Sequence, residues 1–112
     1  MPNVAADEAL LRRLRDQLAD TDDIVEKPMV GGIGFIWRGN LLCGVMGDEL
    51  LVRLAARDAA ELEGDGGAHP MVMAGKVAKS WMLVPPTTVR TDAGLTTWLG
   101  RAFAFVATLP AK

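Results

Sequence analysis

Between Lys27 and Leu54 the sequence holds three apolar runs separated by two short polar interruptions, and no other stretch restricts the fold as tightly. Lys27-Pro28-Met29-Val30-Gly31-Gly32-Ile33-Gly34-Phe35-Ile36-Trp37 is cut by Arg38-Gly39-Asn40. Leu41 to Met46 follows, then Gly47-Asp48-Glu49, then Leu50 to Leu54. Runs of this length bounded by Gly, Asn and Asp are the pattern of consecutive strands in an antiparallel meander. Ile33, Phe35 and Trp37 fall on one face of the first strand, and Gly34 and Ile36 on the other. Gly34 leaves a hollow on its face, where another group can approach closely. Gly39 and Asn40 suit a hairpin that needs positive φ. In the third strand Leu50, Val52 and Leu54 alternate with Leu51 and Arg53, which sets its register.

The flanking sequence supplies what must cover such a sheet. Pro2-Asn3 offers a cap, and Leu10, Leu11, Leu14 and Leu18 form a leucine stripe at helical spacing, predicting an amphipathic helix over about residues 4–20. Asp20, Asp22, Asp23 and Glu26 then read as a solvated linker. Counted from Asp20, the sixth and twelfth positions of a calcium loop would be Val25 and Gly31, not the Gly and Glu such a loop needs. Ala55 to Glu63 is rich in helix formers and stops at Gly64. Asp65 to Pro70 reads as a loop, Pro70 to Met73 as a short strand, Gly75-Lys76 as a turn, and Ser80 to Val84 as a last strand closed by Pro85-Pro86. Thr91 or Asp92 caps a helix whose stripe is Leu95, Trp98, Leu99, Ala102, Phe103 and Val106. Phe105 falls off that stripe and marks a second contact, such as a dimer partner or the returning N-terminal helix, while Gly100 suggests close packing against a neighbour.

The order is therefore α-β-β-β-α-β-β-α. It predicts a two-layer α+β domain, a five-stranded antiparallel sheet with helices over its apolar face. The 112 residues suit one domain, residues 1–112.

Half of the residues are apolar, enough for a sizeable core. No apolar run approaches the roughly 20 residues of a spanning helix, and the first residues lack the form of a signal peptide, so a cytoplasmic protein without a membrane is expected. One cysteine, Cys43, cannot form an internal disulfide. The net charge of −2 argues against nucleic-acid binding by bulk electrostatics. Charge is uneven, though: residues 75–112 hold one acid against five bases, dispersed over Lys76, Lys79, Arg90, Arg101 and Lys112.

No catalytic constellation is legible, nor a metal or cofactor motif. Cys43 sits mid-strand between Leu42 and Gly44, where a thiol is a small buried hydrophobe. His69 is the single histidine and stands in a loop. A nucleophile and base made of these two would need them within hydrogen-bond reach. Gly31-Gly32-Ile33-Gly34 resembles a phosphate cradle only superficially, because no strand precedes it and no helix follows. The candidate binding surface is the loop from Met29 through Gly31 and Gly32 to Gly34, together with Arg53 and Lys76, since turn glycines and cations there are hard to explain by core packing.

Lys27, Met29, Gly31 and Gly32 before the first strand, Gly39-Asn40, Cys43-Gly44-Val45, Gly47-Asp48 and Val52-Arg53 in the meander, Pro70-Met71, Gly75-Lys76, and Trp98 through Ala104 to Leu109-Pro110 together resemble the N-terminal domain of the TfoX (Sxy) competence-regulator family. The likeness spans residues 7–110. Val30 stands where the family often has Phe. The resemblance implies an α+β layout similar to secretion chaperones. It also implies a non-enzymatic adaptor or regulator acting through contacts with a protein partner. The alternative is a small-molecule or anion binder, in which the Gly31–Gly34 amides and Arg53 or Lys76 hold a carboxylate or phosphate. A homodimer is a further expectation, because exposed strand edges gain by being paired.

Overall fold

The computed structural model of the chain describes residues 7–29 and 31–112. The first helix, α1 (Glu8–Leu18), begins where the Asp7 carboxylate accepts hydrogen bonds from the Ala9 and Leu10 N–H groups at 2.9 and 3.0 Å. That cap satisfies donors the helix cannot. Pro2-Asn3, the expected cap, lies outside the described residues. Leu10, Leu11, Leu14 and Leu18 are all buried, as their spacing predicts.

Six strands follow where five were expected. They are β1 (Ile24–Met29), β2 (Gly32–Trp37), β3 (Asn40–Met46) and β4 (Glu49–Arg53), then β5 (His69–Met73) and β6 (Lys76–Val84). They form one antiparallel sheet in the order β1-β2-β3-β4-β6-β5. The additional strand is β1, which occupies part of the stretch read as an acidic linker. It pairs with β2 from Ile24↔Trp37 to Met29↔Gly32. As an edge strand it leaves Val25, Glu26, Lys27 and Pro28 exposed, so no apolar alternation betrays it. Two further boundaries move. His69 and Pro70 belong to β5, and β6 begins at Lys76, so the intervening turn is Ala74-Gly75, both with positive φ (52° and 79°), the geometry of a tight two-residue hairpin.

The helices α1, α2 (Ala56–Leu62) and α3 (Asp92–Val106) cover one face. Ile33, Phe35, Cys43, Val45, Leu50, Val52, Met82 and Val84 point into this core from the strands. A bulge between Phe35 and Ile36 lets Leu42 join Cys43 on that face. Trp37 meets Phe103 of α3 edge to face at 5.0 Å. Each leucine fully buried this way contributes about 2 kcal/mol relative to exposure.

The C-terminal end is pinned to the β2–β3 hairpin. Buried Asn40 donates from Nδ2 to the Pro110 carbonyl at 2.9 Å, and the Lys112 N–H donates to the Arg38 carbonyl at 2.9 Å. Gly100 has nothing within 4 Å of where a Cβ would sit, so the close packing expected there is not found. Among the described residues no helix is long and apolar enough to cross a membrane.

Candidate functional site

The six residues singled out from the sequence do not meet. Met29, Gly31, Gly32 and Gly34 share the β1–β2 hairpin, whereas Arg53 ends β4 and Lys76 begins β6 beyond it. From β2 to β6 is three strand positions, about 14 Å by spacing alone. The hairpin turn and the two cations also lie at opposite ends of the sheet, because the Gly47 N–H donates to the Gly31 carbonyl at the end where β4 begins.

The glycines of that hairpin answer to packing. Gly32 lies between Met29 and Met46, and Gly34 between Lys27 and Gly44, so β2 is flanked on both sides and its backbone groups are used in the two ladders. A Cβ on Gly34 would collide with Met29 Sδ and with Leu41 Cδ1, the latter at 2.9 Å. One on Gly32 would meet the Val45 carbonyl. The hollow foreseen at Gly34 exists, and Met29 and Leu41 fill it. Leu51, also on the helix-free face, is buried between its register partners Gly44 and Leu83.

Cys43 is fully buried in the core, and burial pushes its thiol up to about 12. His69 lies three strand positions away on β5, where its Nε2 is 2.9 Å from Glu49 Oε2. The pairing His69↔Leu83 places it opposite the core face on which Cys43 lies, so the two cannot act as nucleophile and base. Among the described residues no three His, Cys, Asp or Glu side chains gather in a way that could hold a metal ion, the Asp20–Glu26 acids included.

Two of the recesses on this surface lie beside α2, and others of about 330 and 340 Å³ border α1. The inward residues of α2 are buried Ala59 and half-buried Leu62, Ala56 and Ala60 are exposed, and its N-cap Ala55 offers no side-chain hydrogen bond. An open recess lies on each side of it. Toward β6 a recess of about 360 Å³ is lined by Ala56, Ala60, Pro70, Val77 and Lys79 among others. Toward α3 a trough of about 490 Å³ has Leu54, Leu62 and Phe105 as its apolar surface, Asp58 and Glu61 on the α2 wall, and Arg101 on the α3 wall.

Guanidinium groups stack on all three tryptophans around this end of the sheet: Arg38 on Trp37 at 4.4 Å, Arg53 on Trp81 at 5.1 Å and Arg101 on Trp98 at 4.6 Å. Arg53 also lies 5.9 Å from the Phe105 ring, and its Nε is buried with no hydrogen-bond partner among the described residues. None of the six expected residues lines the trough; Arg53 comes nearest, its guanidinium 5.9 Å from the Phe105 ring. Asp58, Glu61 and Arg101 were not foreseen, and Phe105, expected to make a second contact with a dimer partner or the N-terminal helix, lines the trough instead.

Comparison with known proteins gives one result. The family model of the TfoX N-terminal domain matches residues 16–106. No curated protein and no solved structure matches.

Proposed function

Because the chain belongs to the TfoX N-terminal domain family, we propose that it is a non-enzymatic regulatory domain of the cytoplasm that works by binding another protein. The observation that supports this reading is the α2–α3 trough. It is open to solvent, mixes an apolar floor with charged walls, and lies beside a helix that buries Ala59 alone. A small-molecule site encloses most of its ligand's surface. An open trough instead suits a partner that is itself large. Affinity capture with cross-linking in the native cell tests the proposal: a reproducible protein partner is the expected result, and recovery of none would remove it.

A second reading has its own observation. Val72 and Val77 face each other in the β5–β6 register and are 61% and 55% exposed, side by side at the free edge of the sheet. Two copies pairing through β5 would cover both valines. Light scattering of the purified chain distinguishes a dimer from a monomer.

A further inference from the structure

We propose that the trough between α2 and α3 docks a peptide segment of a partner protein in which one large apolar side chain stands between a basic and an acidic residue. This rests on the reading of the domain as one that acts through protein contacts, and it names the surface and the chemistry of the partner.

The charges of the two walls carry the argument. Asp58 and Glu61 are three residues apart on α2 and so project on the same side of the helix. Neither meets a basic side chain: among the described residues the contacts of basic side chains with carboxylates are Arg13–Asp92, Arg15–Glu26 and His69–Glu49. Arg101, across the trough, has no carboxylate partner either, and its guanidinium is held on the Trp98 ring instead. Opposite charges thus line one gap without closing it. A segment that offers a cation toward α2 and an anion toward α3 is complementary to both walls at once.

A further feature fits the same occupant. Phe105, off the buried stripe of α3, presents its ring to the trough beside Leu54 and Leu62, a site for one apolar anchor.

The test is selection from a random-peptide display library on the full chain, followed by affinity measurement on the selected peptides. The expected consensus is an apolar residue flanked by one basic and one acidic residue. Phe105→Ala should weaken the selected peptides about tenfold or more. The double variant Asp58→Lys, Glu61→Lys alters two exposed side chains, keeps the fold by circular dichroism, and should switch the preferred residue on that flank from basic to acidic.

Peptides that bind equally well to the charge-reversed chain and to Phe105→Ala would place binding elsewhere, which overturns the trough while leaving a protein-binding domain. Failure to select any peptide overturns the trough too. Combined with an empty cross-linking experiment in the cell, it overturns both readings. A metabolite whose thermal stabilisation is abolished by Phe105→Ala would also overturn the proposal, by assigning the trough to a small ligand.

Discussion

The helical layer over this sheet is built in two ways. Under α1 and α3 the packing is dense: α1 buries Leu10, Leu11, Leu14 and Leu18, and α3 buries Leu95, Trp98, Leu99, Ala102 and Val106. Both helices start on a side-chain cap, Asp7 accepting from Ala9 and Leu10, and Thr91 accepting from the Gly94 N–H at 3.0 Å. Under α2 the packing is sparse. That helix has 7 residues, buries Ala59 alone, half-buries Leu62, and begins on Ala55 with no cap. The first part supplies the apolar burial that holds the domain together. The second leaves open space, and the unpaired acids and the off-stripe phenylalanine gather there. Apolar burial thus rests chiefly on α1 and α3, and the proposed docking trough lies between α3 and the thinly buried α2.

The contrast breaks most easily at two leucines. Leu14→Ala empties a site with no exposed surface and should cost about 2–5 kcal/mol, the transfer of the lost atoms plus the cavity they leave. Leu62→Ala opens a half-buried site onto an existing trough, and should cost no more than about 1.5 kcal/mol. Urea denaturation followed by circular dichroism reads both. Equal losses would mean that α2 holds the core as firmly as α1, and the division drawn above would fall.

Caps give a finer comparison. Asp7→Ala removes the acceptor of two N–H groups and should cost about 0.5–2 kcal/mol. Ala55→Ser makes the reverse change at α2. Ala55 already has the extended conformation of a cap residue, φ −61° and ψ 144°, so a serine hydroxyl there gains about 1 kcal/mol without moving the backbone. A shift of the urea midpoint in opposite directions for the two substitutions is the expected outcome. No gain at position 55 would show that α2 is limited by its packing and not by its unsatisfied end.

How much of this could be read from the chain follows from what each part is made of. The stripes of α1 and α3 were plain because a helix buried on one side repeats every three or four residues, and their leucines are buried where the spacing put them. The meander was plain for the same kind of reason, and so was the burial of Cys43. Strand β1 was hidden: an edge strand with Glu26, Lys27 and Pro28 has no periodicity to show, and its partner β2 alone fixes its register. The glycines near Met29 and Gly34 drew attention as recognition residues, yet their demand comes from side chains of neighbouring strands that lie over them, contacts no local pattern records. The α2–α3 trough was hidden most completely. It arises from how tertiary structure spaces two helices, and in sequence its wall residues Asp58, Glu61 and Arg101 signal only exposed helix faces.

The smallest expected effect concerns how the packed part is joined to the sheet edge. Arg15 of α1 reaches Glu26 of β1 with two hydrogen bonds, Nε to Oε1 at 2.8 Å and Nη2 to Oε2 at 2.6 Å. The hydrogen bonds from Arg15, reinforced by its charge and opposed by some loss of hydration, hold the Glu26 carboxyl below the usual carboxylate range. A carboxylate whose folded value is depressed adds stability that is complete above its unfolded value, about 4.3, and disappears as pH falls through the folded one. The advantage of the native chain over Glu26→Gln should therefore be constant near neutral pH and shrink in acid. Both side chains are solvent-accessible, so screening keeps the effect small and high salt should reduce it further. Denaturation of the two chains across an acid pH series reads the difference, and titration of the Glu26 carboxyl by NMR places its midpoint. An advantage that survives full protonation would belong to the geometry of the side chain at the edge of β1, and the charge would then contribute nothing to holding α1 against it.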